Sequence, residues 1–117
     1  MTRGAAAQVS LPCDGGAQKR VVVGAEHKIE GAVFGRPLVS PPARDRSNKI
    51  LWVAKHPGRD DLMVSASLNG TDLQVQRRVE GGPGPSIINV PRAGCWTFSL
   101  NWGSNHDVVA VRYDRSP

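Results

Sequence analysis

The chain has 117 residues and a mass of 12.5 kDa, room for one domain. Apolar residues make up 39% and charged residues 21%, with Trp 3, Phe 2 and Tyr 1 as a thin aromatic complement. No apolar run nears the ~18 residues of a membrane-spanning helix and no heptad is sustained, which excludes a helical membrane span and a coiled coil.

Residues 1–18 are small and polar and read as a flexible N-terminal arm, leaving 19–117 as one domain. Arg20–Val23 is a β-branched run, and Lys28–Phe34 is a second strand weakened by Gly31. Residues 35–48, with Pro37, Pro41 and Pro42, form a long polar connection, expected to be the most flexible loop and a crossover between sheets. Lys49–Lys55 places Ile50, Trp52 and Ala54 on one face and Leu51 and Val53 on the other. A strand apolar on both sides predicts a central, doubly covered position.

Leu62, Val64, Ala66 and Leu68 alternate with smaller or more polar residues up to Asn69-Gly70, then Leu73, Val75 and Val79 resume the pattern. A two-residue type I′ turn predicts a hairpin pairing Leu68 with Thr71, Ala66 with Leu73 and Val64 with Val75. Ser86–Val90 is a short strand. Cys95–Trp102 then alternates with Trp96, Phe98, Leu100 and Trp102 on one face, and Val109, Val111 and Tyr113 line a last strand. Seven or eight short strands without a helix predict an all-β chain, an antiparallel β-sandwich.

If every connection reverses the chain, alternate connections share an end of the molecule. Cys13 then enters at the end where Cys95 leaves its turn, so a Cys13–Cys95 disulfide is expected, and with it an oxidising compartment. Residues 1–20 show no signal-peptide core. His27, His56 and His106 all fall at the opposite end, in connections rich in carboxylates. Three imidazoles could hold zinc or copper, although His and Asp are also ordinary turn residues.

Asn69-Gly70-Thr71 has the form of a glycosylation site but is explained as a turn. Gly81-Gly82-Pro83-Gly84 lacks the lysine and following helix of a phosphate-cradling loop. No serine sits in a nucleophile elbow, and Cys95 is placed away from all three histidines, so no enzyme activity and no cofactor are expected. Trp52 and Trp96 read as core. Trp102, at a strand end beside Gly103, is the aromatic expected to be available for binding. Lys+Arg 15 against Asp+Glu 10 gives +5. The bases are spread along the chain without aromatic interleaving, which argues against a nucleic-acid partner.

The stretch Pro85-Ser86-Ile87-Ile88-Asn89-Val90-Pro91-Arg92-Ala93-Gly94-Cys95-Trp96 resembles small exported bacterial domains with an immunoglobulin-like or fibronectin-III-like sandwich, many of them lipoproteins. The resemblance implies an extracytoplasmic binding or accessory module contacting a protein or a cell-surface polymer. A metal-binding sandwich and a small cytosolic ligand-binding protein are the alternatives from other classes.

Overall fold

The computed structural model describes residues 10–13 and 18–116. Among these it has no helix and nine strands: β1 Val21–Val23, β2 Ile29–Val33, β3 Val39–Ser40, β4 Lys49–Ala54, β5 Leu62–Leu68, β6 Gln74–Val79, β7 Pro85–Ile87, β8 Gly94–Trp102 and β9 Asn105–Arg115. They form two sheets, of order β1-β2-β4-β7 and β3-β9-β8-β5-β6. One hydrophobic core contains residues of both, including Ile29, Ile50 and Trp52 from the first and Val64, Trp96, Phe98 and Val111 from the second. The period-2 alternation of β5, β8 and β9 supplies this core directly, since each strand turns every second side chain into it, while Thr97 of β8 is buried on the opposite face.

The all-antiparallel expectation needs correction. β3 pairs with β9 in parallel, through Val39↔Asp114 and Ser40↔Arg115. The 35–48 connection does cross between sheets, but its middle is a strap pinned into the core. Leu38 and Val39 are each 1% exposed. Backbone and side-chain bonds hold the strap: Leu38 exchanges two hydrogen bonds with Gln18 (2.7 and 2.8 Å), Val39 exchanges two with the buried Asn48 (3.0 and 2.8 Å), and the Ser40 hydroxyl donates to the Val90 carbonyl at 2.7 Å. The prolines made this stretch read as loop, while the Leu38-Val39 pair is what anchors it.

The β5–β6 hairpin keeps its expected apolar face but not its register. Ala66 pairs with Val75 and Val64 with Arg77, two residues beyond the type I′ pairing. That turn needs a positive φ at Asn69, yet His27 is the only non-glycine residue with one among the described residues. Asn69 is engaged elsewhere. Its amide nitrogen donates to the Leu11 carbonyl at 2.8 Å, its side-chain oxygen accepts from the Thr97 hydroxyl at 2.7 Å, and its backbone N–H donates to the Cys95 carbonyl at 3.0 Å. Thr71 caps the wider loop by donating its hydroxyl to the Leu68 carbonyl at 2.9 Å. A shift of two residues preserves which face each side chain occupies.

β4 is central in its sheet, between β2 and β7, but it is covered on one side only. Trp52 is 1% exposed while Val53, on the other face, is 52% exposed. The doubly covered position inferred from its two apolar faces is therefore also corrected.

Candidate functional site

The two ends of the molecule differ in chemistry, and the strand registers fix which connections lie at each. Ile29↔Ala54 and Leu62↔Trp102 bring the 24–28, 55–61 and 103–104 turns to one end, where the Ala25 N–H also donates to the Val108 carbonyl. All three histidines are there, and all are exposed. His27 occupies a turn with φ 58°. His56 uses its backbone carbonyl to accept the Trp102 indole N–H at 2.9 Å. His106 Nδ1 lies 2.9 Å from Asn101 Oδ1. Sharing an end has not made them a site: among the described residues no group of three or more His, Cys, Asp or Glu side chains is gathered for a metal.

Beneath that end lies Asp107, 0% exposed. Its carboxylate accepts the backbone N–H groups of Glu26 and Val108 on Oδ1 and of Lys28 on Oδ2, each at 2.8 Å. Burial acts to raise its pKa, but the backbone donors of Glu26, Lys28, Val108 and Ile29 together outweigh burial and hold it below the usual value. The group is a pin for the 24–28 turn. Gly24 is required for it, because a Cβ at that position would collide with the Asp107 carboxylate.

Trp102 is not an exposed binding aromatic. It is 2% exposed, and its indole bond to His56 folds the 55–61 connection over it. With Trp52 and Trp96, all three tryptophans are core.

The opposite end carries the disulfide. Cys13 and Cys95 are joined with a Cα–Cα distance of 5.8 Å, and the Leu11 N–H donates to the Thr97 hydroxyl at 2.9 Å. The described part of the N-terminal segment, residues 10–13, thus lies on the outer face of β8. The rest of residues 1–17 lies outside the described residues.

This end is strongly basic. Lys19, Arg20, Arg36, Arg44, Arg46, Lys49, Arg92, Arg112 and Arg115 all lie there, against Asp45, Asp72 and Asp114. At the histidine end Lys28, Lys55, Arg59 and Arg78 meet an excess of carboxylates: Glu26, Glu30, Asp60, Asp61, Glu80 and Asp107. The positive charge of the chain is thereby concentrated at one end. Arg46 pairs with Asp45 at 3.5 Å and Arg112 with Asp114 at 3.1 Å. Among the described residues Arg20, Arg36, Arg44, Lys49, Arg92 and Arg115 are exposed and have no carboxylate within ion-pair distance. Lys49 lies over the Phe34 ring, 5.3 Å from its centroid.

A cavity of about 200 Å³ opens at the same end between Pro12, Cys13, Gln18, β1 and β9, floored by Val22, Val33, Leu38 and Val111 with Lys19 and Arg112 among its lining. It falls below the ~300 Å³ at which drug-sized ligand sites begin.

No protein family, curated protein or solved structure matches this chain.

Sequence reasoning missed the basic end because the bases are dispersed along the chain. Sorted by alternate connections, like the cysteines and histidines, they separate at once.

Proposed function

We propose that this chain is a non-enzymatic, extracytoplasmic binding module of immunoglobulin-like or fibronectin-III-like sandwich type, whose basic end engages an anionic polymer of the cell surface. The segregation of charge carries this reading. Six exposed cations at one end of a small domain, none with an ion-pair partner among the described residues, produce a field that attracts phosphate- or carboxylate-bearing chains. Five of them are Arg, whose planar fork suits bidentate contact with either group. A polymer needs no enclosed pocket, in keeping with the small cavity. The disulfide supports an oxidising compartment, and it leaves neither thiol available as a nucleophile.

Retention on an immobilised polyanion, measured across a salt series, tests the proposal. The parent chain should elute late, with affinity falling steeply as salt rises. R36E/R44E/R92E should elute far earlier, while R59E/R78E, at the histidine end, should behave as the parent. Equal losses from both sets of reversals would refute an end-specific site. A count of two free thiols in denaturant without reductant would refute the extracytoplasmic placement.

A further inference from the structure

The first sheet turns an open apolar face away from the core. Across its outward positions the registers define three rows: Val23, Glu30 and Val53; then Val21, Ala32, Leu51 and Pro85; then Phe34, Lys49 and Ile87. Val23 is 50% exposed, Val53 52%, and Phe34 and Ile87 each 59%. That is an apolar patch on the order of 400 Å², near the size at which such surfaces on monomers carry a role. Along the strands of this sheet the only outward charges are one acid, Glu30, and one base, Lys49.

Their placement is symmetric. Ala32↔Leu51 is the pair at the middle of the face. Glu30 stands one row above it on β2, and Lys49 one row below it on β4. With strands about 4.8 Å apart and rows about 6.6 Å apart, the midpoint between Glu30 and Lys49 coincides with the centre of the four strands. A two-fold axis lying in the contact plane, through that centre and inclined about 20° to the middle row, therefore sets the upper row of one copy on the lower row of another, displaced by one strand. Glu30 then meets Lys49, Val53 meets Ile87 and Val23 meets Phe34, each twice.

We infer that the outer face of the β1-β2-β4-β7 sheet is a homodimer interface, and that its occupant is a second copy of this chain. An isologous contact must be complementary to itself, and this face is so in charge and in apolar pairing. Overlap of the two faces would bury a total of about 1,000–1,200 Å², the lower limit for a specific interface. The dimer is accordingly weak and reversible. The inference shares Lys49 with the anionic-partner reading but is tested apart from it, since the reversals at Arg36, Arg44 and Arg92 leave this face unaltered.

Sedimentation equilibrium of the full chain should show a monomer–dimer equilibrium with Kd on the order of 10–100 µM. E30K and K49E should each weaken it about tenfold by setting like charges opposite one another. The double reversal E30K/K49E should return to within about threefold of the parent, and V53K should abolish association. All four variants alter exposed positions only, and near-ultraviolet circular dichroism checks that the folds match. A parent chain monomeric at about 1 mM overturns the inference, as do single reversals without effect or a double no better than the singles. Association lost in R36E/R44E but indifferent to the Glu30 and Lys49 reversals overturns it as well.

Discussion

Asp107→Asn changes a single atom of a buried side chain, and its cost can be worked from the bonds that atom makes. The asparagine carbonyl can still accept the N–H groups of Glu26 and Val108 that now reach Oδ1. The amide nitrogen, replacing Oδ2, would face the N–H of Lys28 donor to donor. One hydrogen bond to a charged acceptor is lost, roughly 1.5–3 kcal/mol, and a part-buried N–H is left facing another donor, so the total cost is about 2–4 kcal/mol. For a domain of this size that lowers Tm by roughly 8–16 °C. The effect depends on pH in a defined direction. The folded carboxyl ionises at lower pH than the unfolded one, so its contribution is complete above the unfolded value near 4 and drains away as pH falls through the folded value. Urea unfolding of both proteins between pH 7 and pH 2 should show the largest gap at neutral pH and a closing gap in acid. A neutral-pH cost under about 0.5 kcal/mol, or a gap constant with pH, would refute the pin.

The disulfide closes a sequence separation of 82 residues. In the chain-entropy treatment that contributes about 4.5 kcal/mol, so C13S/C95S should unfold at markedly lower denaturant; a loss below about 1 kcal/mol would contradict it. Tyr113 is the only tyrosine, and its hydroxyl donates to the Ile88 carbonyl at 2.6 Å. Burial raises its pKa, with Arg77 drawing it slightly down, so alkaline absorbance titration should show no tyrosinate around pH 10 while the chain stays folded. Gly31→Ala would place its Cβ 2.8 Å from both Ile50 Cγ2 and Trp52 Cζ3, an overpacking cost of about 1–3 kcal/mol measurable by chemical denaturation.

The regular parts of this fold were legible because alternation is a local signal. β5, β8 and β9 bury the side chains their sequences mark, and the alternating direction of strands was enough to bring Cys13 to Cys95 across the chain. What was not legible depends on partners distant in sequence. The hairpin register turned on Asn69 being held by Leu11, Cys95 and Thr97, none of which a local turn rule can see. β3 was hidden because prolines around Leu38-Val39 outweighed two apolar residues in a polar stretch. Trp102 looked available at a strand end because the 55–61 connection that covers it is polar and glycine-containing. The basic end is a sum over separate connections, visible only once their ends are sorted. Val53 is apolar and yet uncovered, since sequence records the demand for a neighbour and not its source.

β6 is the outer strand of the second sheet, and the Arg77 side chain alternates with Val75 and Val79 toward the core side of that strand. Its guanidinium donates to the Asn89 carbonyl at 3.0 Å and the Gln76 carbonyl at 2.8 Å. A foreign strand adding to this border would have to accommodate a fixed cation there, with Arg78 beside it, in place of a continuous greasy ridge. Ordered stacking of one molecule on the next into fibrils is thereby discouraged at the place where an unprotected six-residue ribbon would otherwise invite it.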